Sequence, residues 1–399
     1  MVAGAGNEQQ MNLQRITLSA FLAYFCVSGV LSTFGLISGP MAAHFGVEVT
    51  QITRNFGWFT IGMLIGAGLA IEVANRFPLR AVLTATFLVT ALCLGSLKFA
   101  QTLGVVWPLL GLAGTCLGVG LAAAATTIAR SYEPEPRASM LVMTDACFSL
   151  AGKVCAGLTL YFLGQQLHWS SGYLVVAGAA LAIVVLAVFS TYPEQANDLS
   201  VGPSAAESSA TEGEGWSYLI WLCIAVLCLY TLGQYAMLWW LPQHLQLHFQ
   251  ASAGDAGAVV GQFWLGMLWA QLVVAWWVLR AGAPRLVLIA AFSAAICSVP
   301  LWISTNLAWI PWLGALWGFG NLAFLKLAIS FATQLQAVPS PRLVSALLFG
   351  ATTGTAVSPW VTSHIVELFG TLVVLRFSTL CYVVIALITL FVVWRSRPL

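Results

Sequence analysis

The sequence predicts an all-α membrane protein of twelve transmembrane helices in two pseudo-symmetric six-helix bundles. Three observations carry that prediction. Hydrophobic residues make up 60% of the chain and charged residues only 7%, against about 25% charged in a soluble domain, so water cannot be the main solvent. The apolar residues fall into blocks long enough for the roughly 20-residue crossing that the hydrocarbon core demands. A single acidic, polar stretch near the middle of the 399 residues divides those blocks six and six.

Residues 1–14 are polar and short. The first apolar block, 16–40, is too long for the core of a signal peptide and has no convincing cleavage site, so it is predicted to be the first membrane helix. Charge, Gly and Pro then delimit helices at 52–74, 79–99, 105–129, 139–163 and 170–191. The second set is predicted at 216–242, 256–280, 285–304, 308–332, 342–364 and 371–394. Several loops are only a few residues long, which makes successive helices antiparallel neighbours. Between the sets, Glu194, Asp198, Glu207, Glu212 and Glu214 stand among Ser, Ala and Gly. Nothing there can build a core, so it reads as a linker. The predicted domains are an N-terminal bundle (1–192), a cytoplasmic flexible linker (193–215) and a C-terminal bundle (216–399).

Orientation follows from cation placement. Of the 15 Lys and Arg residues, Arg15, Arg76, Arg80, Arg130, Arg137, Arg280, Arg285, Arg342, Arg395 and Arg397 share the side of the termini. Only Arg54, Lys98 and Arg376 fall opposite. Lys153 and Lys326 lie within predicted helices. The bias places both termini and the linker in the cytoplasm. The two halves also share short basic turns containing proline, Arg76–Arg80 and Arg280–Arg285.

The same composition excludes other classes. A net charge of +2 and the absence of any long basic run leave no nucleic-acid groove. All nine cysteines sit in apolar stretches without a CxxC or Cys/His cluster and read as packing residues, not metal ligands or disulfides. No phosphate-binding Gly-x-x-x-x-Gly-Lys-Ser/Thr loop occurs, so no cofactor is expected, and any driving force is an ion gradient. An intramembrane enzyme needs a clustered nucleophile and base, or metal ligands, at depth. Asp145 is the only acid well inside a predicted helix, and the five histidines fall near helix ends.

Particular stretches narrow the class. They are Thr144-Asp145-Ala146-Cys147-Phe148-Ser149-Leu150-Ala151-Gly152, Tyr230-Thr231-Leu232-Gly233-Gln234, Asp255-Ala256-Gly257 with Phe263-Trp264, Val338-Pro339-Ser340-Pro341-Arg342-Leu343-Val344, and Ile365-Val366-Glu367. On these the chain resembles the TsgA-type members of the fucose-permease-like branch of the major facilitator superfamily, over its full length. The superfamily signature after helix 2, Gly-x-x-x-Asp-x-x-Gly-Arg, is matched in degenerate form by Gly68, Glu72, Asn75 and Arg76. Sugar permeases of the branch are proton symporters with acids in helices 1 and 4; here neither helix carries Asp or Glu. The resemblance implies a multi-pass bacterial inner-membrane protein, working as a monomer, that moves a small polar solute by alternating access. That solute is anionic, zwitterionic or sugar-like, and a proton is the expected coupling ion. An efflux antiporter of the same fold and a non-transporting sensor remain open.

A charge in a membrane helix costs at least about 2.5–3.5 kcal/mol at the centre and marks a cavity or a partner. Lys153, mid-way along helix 5, is a candidate counter-charge for an anionic solute. Asp145 and Lys326, on opposite halves at similar depth, are expected to form a cytoplasmic gate or coupling pair. Arg54 and Glu367 are expected to latch the outer side, and Glu72 with Arg76 to lock the inner turn. The helices that line the cavity in such a fold offer Tyr24, Gln234, Tyr235, Trp239 and Asn321, and helix 8 adds Gln262 and Trp264, as polar and aromatic contacts to the solute.

Overall fold

The computed structural model of the chain describes residues 2–192, 216–336 and 341–396. The expected linker, 193–215, lies outside them. The first half contains α1 (Val2–Phe45), α2 (Val49–Arg76), α3 (Leu79–Ser96), α4 (Leu103–Ser131), α5 (Pro134–Gly164) and α6 (Ser171–Val188). The second contains α7 (Tyr218–Phe249), α8 (Ala253–Ala281), α9 (Ala283–Ser298) with the single turn α10 (Pro300–Ile303), α11 (Ile310–Gly320) with α12 (Phe324–Thr333), α13 (Pro341–Phe369) and α14 (Thr371–Arg395). Because α9–α10 and α11–α12 each make one crossing, the described residues make twelve passes. Ten of them are long and apolar enough to span a bilayer by length and composition. The other two, α2 and α13, have 28 and 29 residues and pack against each other between the halves.

Hydrocarbon offers no partner to a backbone N–H or C=O, so each crossing is helical. The first helix starts at Val2, earlier than the polar lead-in suggested. Its early turns are tied to the end of α6: Asn12 Nδ2 donates to Thr191 O (2.8 Å), Thr191 N donates to Asn12 Oδ1 (2.9 Å), and Arg15 donates to Phe189 O (3.1 Å). The carbonyls that a helix C-terminus leaves unpaired thus find partners.

Within each half the helices pair alike. In the first, α1 packs on α5 and α6, α3 on α6, and α2 on α4. In the second, α7 packs on α13 and α14, α9 on α14, and α8 on α11. The tightest seams are glycine-lined. A Cβ on Gly114 or Gly118 of α4 would collide with the Phe59 and Met63 carbonyls of α2, and one on Gly62 or Gly66 with the Gly111 and Thr115 carbonyls of α4. The same device recurs in the second half. There Gly314 and Gly318 of α11 lie on Val259 and Phe263 of α8, and Gly266 of α8 lies on Ala315 O. Lipid is as apolar as leucine, so this close fit, not burial from water, holds the helices.

One crossing breaks the symmetry. The helix predicted over 308–332 is interrupted between Gly320 and Phe324, where Leu322 (φ 44°) and Ala323 (φ 52°) take the left-handed conformation. Such a conformation costs about 1–3 kcal/mol per non-glycine residue. Asn321 Nδ2 caps the Trp317 carbonyl (2.7 Å), and Ser293 of α9 donates to Gly320 O. Asn321 is fully buried, and its Oδ1 has no partner among the described residues. The counterpart pass, α4, is unbroken.

The glycine seams predict that Gly118→Val and Gly318→Val each destabilise the protein by about 1–3 kcal/mol or more, read as a lower thermal midpoint in detergent. Gly178→Ala, where a Cβ meets open space, leaves the midpoint unchanged or raises it.

Candidate functional site

The halves meet where α1 packs on α7, α2 on α13 and α5 on α8. Toward the face away from the termini these contacts form a closed seam. Gly35 of α1 sits directly on the α7 backbone at Leu238 and Trp239. Trp239 is 2% exposed, and its Nε1 donates to Leu31 O across the interface (3.1 Å). Its ring lies edge-on to Phe34 and Phe56, both 5.5 Å away, and stacks on Tyr235 at 4.9 Å. Gln243 Nε2 donates to Ser38 Oγ (3.2 Å), and Thr60 Oγ1 to Ala356 O (3.1 Å). Gly57 lies beneath the Trp360 indole. At the rim Arg54 pairs with Glu367, which also lies 3.7 Å from His364 Nδ1.

Toward the terminus-bearing face a different device crosses the interface. Lys326 Nζ of α12 stands 3.2 Å from Asp145 Oδ2 of α5. Their side chains are 49% and 20% exposed. Thr144 and the Tyr24 hydroxyl of α1 complete the cluster, with Tyr24 beside both charges. Lys326 occupies the first turn of α12, so the break after Gly320 sets its direction. Near this face, Glu72 and Arg76 pair along α2, one turn apart and both largely exposed. That pair stays within one half.

Lys153 is one helical turn from Ser149 and about 12 Å along α5 from Asp145 at 1.5 Å per residue. Its Nζ lies 3.5 Å from the position of a Cβ on Gly261 of α8. Among the described residues no carboxylate pairs with it. Next to it, Gly152 lies under the Trp264 ring, which is also in edge contact with Phe148 at 5.5 Å. The Trp264 indole N–H and the hydroxyls of Ser149, Ser28 and Ser32 are buried without partners among the described residues. Gln262 follows Gly261 on α8 and is half-buried.

The residues expected to contact a solute therefore separate. Tyr24 joins the charged cluster, Lys153 and Trp264 belong to the α5–α8 contact, and Gln262 is next to Gly261 in sequence on α8. Tyr235 and Trp239 are committed to the closed seam. Gln234 is buried in α7, and Asn321 stands at the helix break. Sequence reasoning missed Ser38–Gln243, Gly57–Trp360 and Gly152–Trp264. The one signal for the last two is a glycine that must face something large, and nothing in the sequence says what. His244 lies near the end of α7, as expected of the histidines, and is buried there, with Nδ1 2.9 Å from Thr371 Oγ1.

Two six-helix halves with charges at membrane depth along their interface define the architecture of a secondary membrane transporter. The chain belongs to the Major Facilitator Superfamily, whose family model matches residues 20–340. Protein TsgA of Salmonella paratyphi B is 27% identical over 357 residues, covering 89% of this chain and 88% of that protein, and TsgA of Salmonella typhi is equally similar. Among solved structures, a D-xylose-proton symporter superposes with a TM-score of 0.75 at 14% identity, covering 97% of each chain. The nucleoside transporter NupG does so with a TM-score of 0.73 at 11% identity, covering 95% of this chain and 99% of that one. At such identities the structures establish the fold.

Because packing rather than charge closes the seam, Gly57→Val, which displaces Trp360, is expected to raise amide hydrogen exchange over residues 52–62 and 352–362 at least tenfold. Arg54→Ala raises it less than about fivefold, since an exposed ion pair is worth only about 0.2–1 kcal/mol.

Proposed function

We propose that this protein is a proton-coupled secondary transporter. It moves a small polar solute, anionic, zwitterionic or sugar-like, across the bacterial inner membrane by alternating access, with both termini in the cytoplasm. One observation carries the reading. The halves are joined by an extended packed seam toward one face and by the Asp145–Lys326 pair toward the other. Two rigid bodies held by unlike contacts at their two ends can rock by exchanging one set for the other.

In this reading Asp145 and Lys326 form the cytoplasmic gate. A proton taken up by Asp145 removes the charge that holds Lys326, so protonation and opening are linked. Arg54–Glu367 and the Trp239 and Tyr235 packing latch the outer side, and Glu72–Arg76 stiffens the inner turn. The solute contacts Lys153, Gln262 and Trp264, with Gln234, Asn321 and Tyr24 as further contacts. Ser149 and Trp264 offer hydrogen-bond donors with no acceptor among the described residues, and Lys153 adds a cation that no carboxylate pairs with there, which favours an anionic or zwitterionic solute over a cation. The fold is shared with a D-xylose-proton symporter, which supports a polar solute and proton coupling.

The test begins with a thermal-shift screen of sugars, sugar acids, amino acids and small anions, followed by transport of any stabilising solute in proteoliposomes. The wild type is expected to show counterflow and gradient-driven accumulation. Asp145→Asn should keep counterflow within about threefold and lose accumulation at least tenfold. Lys153→Ala should lose stabilisation by the solute. A solute that binds without any exchange would make the protein a sensor instead.

A further inference from the structure

Outside the interface between the halves, a cavity of about 400 Å³ opens at the face away from the termini, lined by Lys98, Phe162, Leu167, His168, Ser171, Leu174 and Val175. Three chain segments converge there. Lys98 stands in the 3₁₀ turn Leu97–Phe99 that ends α3. Phe162 lies in the last turn of α5, and His168 in the short loop before α6, whose first residue is Ser171. Gln166 (φ 57°) turns the chain in that loop.

Local bonds hold the imidazole in one tautomer. Ser170 N donates to His168 Nδ1 (3.3 Å), and Ser170 Oγ lies 2.8 Å from the same nitrogen. With Nδ1 as acceptor, the ring proton is on Nε2. Burial, together with the nearby His44 and Lys98, holds the imidazole below its usual value. His168 is therefore a neutral donor near pH 7, and Lys98 supplies the positive charge. Among the described residues neither side chain pairs with a carboxylate. The opposite wall is apolar, and it is continuous with outward-facing surface at Leu167 and Leu174. Phe99, beside Lys98, is 80% exposed.

We propose that this cavity binds the phosphodiester of an anionic glycerophospholipid from the adjacent leaflet. The phosphate lies between Lys98 Nζ, His168 Nε2–H and the Ser171 hydroxyl, and an acyl chain lies along Leu174 and Val175. A cation beside an apolar wall, at the level where helices leave the hydrocarbon, matches a lipid rather than a wholly polar solute. The bound lipid bridges the ends of α3, α5 and α6.

The test is native mass spectrometry of the full-length protein in detergent, titrated with phosphatidylglycerol or with phosphatidylcholine of the same chains. At least a fivefold excess of retained phosphatidylglycerol is expected for the wild type and for Lys98→Arg. The excess should fall to about twofold or less for Lys98→Ala combined with His168→Ala, with an unchanged melting point before lipid is added. Equal retention of the two lipids, or an excess that survives in the double variant, overturns the proposal. A third arm adds inorganic phosphate. If phosphate at millimolar concentration displaces the lipid and binds equally well alone, the site belongs to a free anion and the lipid assignment is overturned.

Discussion

Backbone contact at glycine is what the rest of this structure depends on. In lipid the hydrophobic effect does not drive helix to helix, so a bundle holds only where its helices fit closely. The α2–α4 and α8–α11 seams meet that requirement with carbonyl oxygens resting where side chains would otherwise be. Each half thereby becomes a stiff body. The contacts between halves are of another kind: rings, single hydrogen bonds and ion pairs, with a few close glycine contacts, most of them near one face. Stiff bodies with a less uniform junction can move relative to each other without losing their own fold.

Charge placement follows the same division. Ion pairs along one helix, such as Glu72–Arg76, brace a turn. Asp145–Lys326 and Arg54–Glu367 cross between halves, near opposite faces. Of these four groups Asp145 is the most enclosed, at 20% exposure, while Lys326, at 49%, is as open as Arg54. Lys153 differs from all of these in having no acid partner among the described residues. One turn away the Ser149 hydroxyl, and beside Gly152 the Trp264 indole N–H, are likewise without a hydrogen-bond partner among the described residues.

Much of the fold was legible because the bilayer imposes one length scale. Apolar blocks separated by charge gave twelve crossings, most within a few residues of those observed; α1 begins much earlier, with polar first turns anchored by Asn12 and Arg15 at the end of α6, and α5, α7 and α13 run five to seven residues past their predicted bounds at one end. The depth and the half of Asp145 and Lys326 could also be read, since both follow from counting residues along a helix. Their pairing was expected from that placement; what could not be read is the helix break that aims Lys326, because the left-handed Leu322 and Ala323 carry no glycine or proline signal. Gly314 and Gly318 repeat the role of Gly114 and Gly118, yet a lone sequence does not reveal which face a small residue turns to its neighbour. For Trp239 the residue type suggested a solute contact, whereas packing assigned it to the seam. Indole suits both, and only the position of Gly35 opposite decides.

The central claim is that the Asp145–Lys326 pair holds one face of the junction independently of the packed seam at the other. Spin-label distances at both faces test it directly, with one label pair at Glu133 and Arg342 and another at Gln101 and Asn306, in a background with the nine cysteines replaced. Neutralising the pair by Asp145→Asn should shift the Glu133–Arg342 distribution to longer distances while the Gln101–Asn306 distribution stays put or shortens. Identical distributions in variant and wild type at both faces would contradict the account.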